Sequence, residues 1–300
     1  MNTLLMKIVI TGSLGNIGQP LAEILVQQGH AVSVISSKPE KQRAIEALGA
    51  KAAIGTLEDA DFLTTTFTGA DAVFAMVPPN FAELDQVDYY RRLAGGYAQA
   101  IARAGVPRVV HLSSYGAHLD HGTGFILGSH HAERLLNELF GVALTHLRPG
   151  YFYTNLFSFA GMIKGQGRMG ANYGGDDPLV LVHPRDIAAA AAEELTTTAR
   201  ASPVRYVASD EQPASEVARV LGEAIGRPGL QWLTFSDEQT RRAMEQRGLP
   251  VHLVTNFVEM GASTHSGALR EDYDQHQPAV LGPTKVADFA REFAAFYEKA

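Results

Sequence analysis

Residues 8–37, IVITGSLGNIGQPLAEILVQQGHAVSVISS, constrain the chain more than any other stretch. A β-branched apolar run ends at Thr11, glycines stand at 12, 15 and 18, and a helical pattern leads through Gly29 to a second β-branched run. Strand, turn, helix and strand in that order form a βαβ unit, which belongs in a parallel sheet. In such a turn Gly12 permits the tight bend, Gly15 lets a pyrophosphate approach the backbone, and Gly18 lets helix and strand pack closely. The amides of Ser13, Leu14, Asn16 and Ile17 then face the phosphates at a helix start, where the helix dipole favours negative charge. Glycines at this spacing also serve simple tight turns; the strand before and the helix after favour dinucleotide binding.

The same rhythm continues. Strands are expected at 6–11, 31–35, 51–54, 71–77, 107–113 and 142–148, with helices near 17–28, 39–48, 59–67, 83–104 and 129–139. Glycines in QQGH and RAGVP suit left-handed helix ends. The glycine-rich segment 161–178 reads as a long surface excursion, and 179–209 as a return to strand, helix and strand. From about residue 210 helical patterns dominate, with Ser236 placed to cap one of them. The expected fold is α/β: a Rossmann-type doubly wound parallel sheet with a smaller, mostly helical C-terminal substrate domain. Residues 1–155, rejoined by 179–209, would form the first domain, and 156–178 with 210–300 the second, a lid.

With 46% hydrophobic residues over 300 positions, a large core is available. There is no cysteine, which excludes disulfides, thiolate metal sites and cysteine nucleophiles. A formal charge of -7 opposes attraction to phosphate backbones, so nucleic acid is not an expected partner. The N-terminal MNTLLMKIVITG carries a lysine within its apolar run and passes straight into the glycine turn, unlike a signal peptide or spanning helix. The chain therefore reads as cytoplasmic, with no membrane partner. The end of the second strand reads Ser36, Ser37, Lys38, with no acid before Glu40. Two hydroxyls and a cation suit a 2′-phosphate, whereas a free 2′-hydroxyl is usually held by an acid there, so NADP(H) is favoured over NAD(H). The same residues can also cap the following helix.

Thr11-Gly12-x-x-Gly15-x-x-Gly18, AMVPPN, VVHLSS, HHAERLL, LTHLRPGYFYTNL and LVHPRDIAAAAAEEL together resemble the NmrA-like branch of the short-chain dehydrogenase superfamily, over essentially the whole chain. That branch comprises NADP-dependent reductases, quinone reductases among them, and proteins that bind NADP without turnover as redox sensors. The resemblance implies that Val77, Pro78 and Pro79 flank the nicotinamide ribose, that Ser113 lies beside the ring, and that Pro149 to Tyr151 wall its other side. It also exposes a departure. Full members use a Tyr-x-x-x-Lys pair to pass a proton to a carbonyl oxygen, but counting back from Glu133 the lysine slot is Ser129 and the tyrosine slot Phe125. Quinone reduction survives this loss, because a quinone accepts hydride readily and its oxygen can take a proton from water.

The expectation is hydride transfer from NADP(H) to a flat, apolar, quinone-like or conjugated carbonyl acceptor; the alternative is a non-catalytic redox sensor. Ser113 and His130 are the catalytic candidates, and Ser113 serves equally well as a turn former. His130 and His131 stand beside the vacated lysine slot, with packing and solvation as the plain alternative. Histidines 111, 118, 121, 130 and 131 match no familiar ligand spacing, so no metal is expected. Asp186 reads as a helix N-cap. Trp232, Phe235 and Phe257 are placed at a cleft or domain junction, and a homodimer is compatible with the chain.

Overall fold

The computed structural model describes residues 5–199 and 201–300. The chain begins with strand β1 (Lys7–Ile10), helix α1 (Gly18–Gln27), β2 (Ala31–Ser36), α2 (Gln42–Ala47) behind a 3-10 turn at Pro39–Lys41, β3 (Lys51–Ile54) and α3 (Ala60–Phe67). There follow β4 (Ala72–Met76), α4 (Gln86–Ala104), β5 (Arg108–Leu112), α5 (Ile126–Leu136) and β6 (Ala143–Pro149). Strands β1 and β4 are almost wholly buried, as expected where helices cover both faces of a parallel sheet. Helix α1 buries Gly18, Leu21, Ala22 and Leu25, the i, i+3, i+4, i+7 stripe of an amphipathic helix. Asp59 and Asp85 cap α3 and α4 by accepting backbone N–H bonds, and α4 ends on Gly105 at φ +67°, the left-handed C-cap foreseen from RAGVP.

The second half contains β7 (Tyr151–Phe152), a 3-10 turn at Tyr153–Phe159, α6 (Ala160–Gln166), β8 (Met169–Ala171), β9 (Pro178–Val182), α7 (Pro184–Thr196) and β10 (Val204–Val207). It continues through β11 (Asp210–Pro213), α8 (Ala214–Ala224), β12 (Trp232–Thr234), α9 (Asp237–Gln246), α10 (Val251–His265), α11 (Glu271–Gln275) and α12 (Val286–Lys299). One sheet has seven strands in the order β10-β6-β5-β4-β1-β2-β3, and the ladders from β6 through to β3 are parallel. The order reverses beside β1, which creates the crevice where doubly wound sheets bind ligands.

The chain divides into two compact units. The first holds residues 1–113, 128–148 and 187–205, and therefore almost all of the seven-stranded sheet. The second holds 114–127, 149–186 and 206–300, more of the chain than its C-terminal tail alone. In it β9 pairs parallel to β7 and antiparallel to β11, and β8 runs parallel to β12. Its core joins Tyr153, Leu156, Leu181, Leu221, Trp232 and Phe289.

Three sequence expectations change. Segment 161–178 is not a bare excursion: it carries most of α6 and all of β8. Gly161 and Gly165 sit inside α6 with nothing within 4 Å of an added Cβ, so they mark an open helix face and not a loop. Of 179–209 only β10 joins the large sheet, because β9 is taken up by β7 and β11. Helix α5 begins three residues ahead of its expected start; Gly128 lies inside it because a Cβ there would come within 2.6 Å of the Tyr90 ring.

Gly124 sits at φ +57°, and its added Cβ would run into the backbone carbonyl of Asn256. Gly124→Ala is expected to destabilise the second unit by about 2–4 kcal/mol, whereas Gly161→Ala, in open helix, should stabilise by about 0.4–1 kcal/mol. Thermal melts of the two variants should therefore move in opposite directions; a matching shift would contradict this packing.

Candidate functional site

The turn after β1 is assembled by side chains that the strands deliver. Thr11, fully buried, accepts a hydrogen bond from the Met76 N–H at 2.8 Å, and the Tyr97 hydroxyl donates to the Met76 carbonyl at 2.6 Å. This ties the C-terminal ends of β1 and β4 together. Gly12 adopts φ +88°, and an added Cβ would collide with the Met76 sulfur. A Cβ on Gly18 would collide with the Ser13 carbonyl oxygen, so α1 can start here only because residue 18 has none. Ser13 itself holds φ +59°, its N–H donates to the Ile35 carbonyl at 3.0 Å and its hydroxyl donates to the Ser36 hydroxyl at 3.0 Å.

Gly15 is different. Its φ lies outside the left-handed region, and the nearest atom to an added Cβ is the Gly12 carbonyl oxygen at 3.7 Å, an ordinary contact. Nothing within the described residues requires a glycine there. Gly15 and Asn16 are exposed, Leu14 is half-buried and Ile17 is buried.

Beside the turn lies a cleft of about 230 Å³ bounded by Gly12, Ser13, Ile35, Ser36 and Ser37 and, opposite, by Thr56, Leu57, Glu58, Pro78 and Asn80. Ser36 is buried and structural: the Lys38 N–H donates to its hydroxyl at 3.2 Å. Ser37 and Lys38 are exposed. Val77 is buried, Pro79 is exposed, and the Pro78 carbonyl accepts the Tyr89 hydroxyl at 2.9 Å. The sequence reading omitted Thr56, Leu57, Glu58 and Asn80. The rule that ligands gather at strand C-termini, applied to β3 as it was to β1, β2 and β4, marks Thr56 to Glu58.

Ser113 follows β5 in the same unit. Its hydroxyl donates to Glu133 Oε1 at 2.5 Å, while Arg148 grips the carboxylate through Nε to Oε1 at 2.9 Å and Nη2 to Oε2 at 2.6 Å. All three residues are buried. Burial alone would raise the Glu133 carboxyl; the Arg148 hydrogen bonds foremost, with the Arg148 charge and the Ser113 hydroxyl, hold it below its ordinary value. Just past the end of α5, Asn137 Oδ1 meets His146 Nε2 at 3.1 Å, and His146 Nδ1 faces His111 Nδ1 at 3.0 Å. The Asn137 oxygen accepts from His146 Nε2–H; the neutral His146 ring then accepts at Nδ1, and His111 donates. Burial and the adjacent His146 pull His111 down to about 3, and burial also lowers His146. His111 is thus a core residue.

The remaining candidates fall in different places. Ser129 lies in the first turn of α5 within the first unit, hydrogen-bonded to Tyr90, whose phenol is pushed up to about 12 mainly by burial. Phe125 belongs to the second unit and packs edge-on against Phe257 at 4.8 Å. His130 is half-buried with its ring edge-on to His131, which contacts Arg91 at 3.1 Å. In the second unit Tyr151 accepts a hydrogen bond from the Tyr173 hydroxyl at 3.2 Å, burial holds its phenol far above the ordinary value, and the Pro149 carbonyl accepts the Tyr115 N–H at 3.0 Å. Trp232 is core, donating to the Tyr173 carbonyl at 2.9 Å. Asp186 is not an N-cap: it stands third in α7, where its carboxylate accepts from Ser209 at 2.6 Å and from the Thr284 hydroxyl at 3.0 Å. The His183 ring performs the capping, accepting the Arg185 N–H at 3.1 Å. Among the described residues no cluster of histidines and carboxylates could hold a metal ion, and no helix is long and apolar enough to cross a membrane.

A family model described as NmrA-like family matches residues 6–262. The chain is similar to an NAD(P)H azoreductase of Xenophilus azovorans, 28% identical over 98% of this chain and 100% of that protein. It is also similar to a (4-alkanoyl-5-oxo-2,5-dihydrofuran-3-yl)methyl phosphate reductase of Streptomyces griseus, 28% identical over 87% and 88% of the two chains. A solved NADPH-dependent quinone oxidoreductase from Escherichia coli, complexed with NADPH, superposes with a TM-score of 0.82 at 22% identity over 95% of this chain and 99% of that one. A triphenylmethane reductase of Citrobacter sp., complexed with NADP(H), gives 0.80 at 18% identity over 96% and 99%. These structural likenesses establish a shared fold.

The buried histidine pair carries a pH signature. Both rings have native values below the unfolded one, so the unfolded chain binds more protons as pH falls below about 6.5 and stability drops. Glu133, also depressed, adds its own loss only below about 4.5. Urea unfolding at pH 7 and 5 should therefore show a loss of about 2 kcal/mol from His111 with a further loss of the same sign from His146, and a His111→Leu, His146→Leu double variant should remove that dependence. Equal pH dependence in the variant would mean that the pair titrates normally.

Proposed function

The chain belongs to the NmrA-like family, and we propose that it is an NADP(H)-dependent oxidoreductase that transfers hydride to a flat quinone-like or conjugated carbonyl acceptor. Gly15 carries the reading. Gly12 and Gly18 are accounted for by Met76 and Ser13, whereas the space above Gly15 serves nothing inside the described residues. A side chain there would fill the cradle in which a pyrophosphate rests on the helix start. The residues present therefore fit a dinucleotide, and the names of the azoreductase and quinone oxidoreductase relatives agree with one.

Ser13 and the amides from Leu14 to Gly18 would hold the phosphates, and Ile35, Thr56 and Leu57 would wall the adenosine end. Lys38 is exposed beside the cleft and makes no ion pair among the described residues, which suits it to a 2′-phosphate. When bound, the reduced nicotinamide supplies a hydride. The chain's own contribution is then placement and exclusion of water. With Phe125 and Ser129 at the usual proton-relay positions, a proton for the acceptor oxygen comes from water, so that one hydride and one proton convert quinone to hydroquinone. The same two residues favour a second reading, binding without turnover, in which the cofactor's redox state is sensed.

One titration separates these readings: NADPH and NADH binding followed by fluorescence, then addition of a simple quinone while nicotinamide absorbance is recorded. NADPH should bind more tightly and be consumed; binding without consumption across a panel of quinones and enones would leave the sensor. Gly15→Ala should weaken NADPH at least tenfold without lowering the melting temperature, whereas Gly18→Ala should lower it. Lys38→Ala should narrow the preference for NADPH over NADH by roughly tenfold, the worth of one charge-assisted hydrogen bond.

A further inference from the structure

Ser113 follows β5 at the C-terminal edge of the sheet, where ligands gather, but its own proton is already committed. Arg148 holds Glu133 through two parallel bonds, at 2.9 and 2.6 Å, and an arginine in this setting is always charged. An ionised carboxylate can only accept. The contact between Ser113 Oγ and Glu133 Oε1 therefore has one polarity, with the proton on serine and pointing at glutamate. The Ser113 N–H is used as well, donating to the Leu147 carbonyl at 2.8 Å. What remains is the pair of acceptor sites on the hydroxyl oxygen, to which no group among the described residues donates.

We propose that Glu133, clamped by Arg148, fixes the Ser113 hydroxyl as an acceptor toward the ligand, so that Ser113 receives a hydrogen bond from the carboxamide N–H of the nicotinamide and gives none to the acceptor substrate. The carboxamide N–H can only donate, which matches a hydroxyl left with acceptor sites alone, whereas a substrate carbonyl can only accept and would find no proton on Ser113. Ser113 thereby becomes a ring-orienting residue, and Glu133 and Arg148 act on the cofactor only through it. This rests on the proposed binding of a nicotinamide dinucleotide at the C-terminal edge of the sheet.

The test compares the dissociation constants of NADPH and of its reduced 3-acetylpyridine analogue, which lacks the amide N–H, in the full-length protein. The unaltered protein should prefer NADPH, and Ser113→Ala should erase about three- to tenfold of that preference, the worth of one neutral hydrogen bond. Ser113→Thr, which keeps the hydroxyl, should restore it. Glu133→Gln should reproduce the loss without touching the ligand, because an amide facing Ser113 releases the serine proton. A preference unchanged in Ser113→Ala, or a hundredfold fall in kcat with unchanged NADPH affinity, would overturn the proposal and make Ser113 a donor to substrate. Failure of the unaltered protein to bind NADPH at all would overturn the cofactor reading together with this one; NADPH binding with an unmoved analogue ratio overturns this one alone.

Discussion

The buried pair between Glu133 and Arg148 is the contact on which the middle of the first unit is built. It joins α5 to β6 by two parallel bonds, and through the Ser113 hydroxyl it reaches β5. Taking two charges out of water costs several kcal/mol each, and the geometry must offset that cost. Here it does so by sharing: Oε1 accepts from both Ser113 and Arg148, and Oε2 takes a second arginine N–H. Strands β5 and β6 are in parallel register with His111 opposite His146, and two residues further on Ser113 and Arg148 both reach Glu133. Glu133 in the last turn of α5 meets Ser113 and Arg148, and Asn137, just past the end of the helix, meets His146. These contacts hold the C-terminal end of α5 against β5 and β6.

Much of this was legible in the sequence. The βαβ rhythm, the glycine turn and the left-handed helix end at Gly105 are local patterns, set within a few residues, and each is found where it was read. The Ser236 capping box is another. Pairings between distant segments were not legible. No local pattern distinguishes β9, which joins β7 and β11, from a strand that returns to the main sheet. Glycine misled for a related reason: Gly128 and Gly161 look identical as letters, but one faces an aromatic ring and the other faces open space. Asp186 before an alanine-rich helix looked like a cap, and only Ser209 and Thr284, brought from far along the chain, reveal its other task. The cleft residues Thr56 to Glu58 were missed although the rule that finds them was in use.

The two positions where the resemblance leads one to expect a tyrosine and a lysine, Phe125 and Ser129, leave no gap. Phe125 packs on Phe257 and Ser129 bonds Tyr90, so the vacated positions are filled by ordinary packing. Burial raises the phenols of Tyr151 and Tyr173, so neither is poised to ionise near neutral pH. What the first unit retains is a rigid, charge-balanced platform at the ends of its strands. Such a platform favours reactions whose difficulty lies in alignment and not in proton transfer.

The two units are interleaved along the chain, which passes from one to the other after Ser113, Leu127, Arg148, Asp186 and Arg205. Each unit therefore closes on segments that are far apart in sequence, and folding pays loop-closure entropy before those contacts form. During synthesis the first unit lacks the last part of its chain until residue 205 has emerged, by which time the 149–186 share of the second is already exposed. The order in which the polypeptide appears is thus not the order in which either core can be completed. Such a chain is a poor candidate for independent, domain-by-domain maturation.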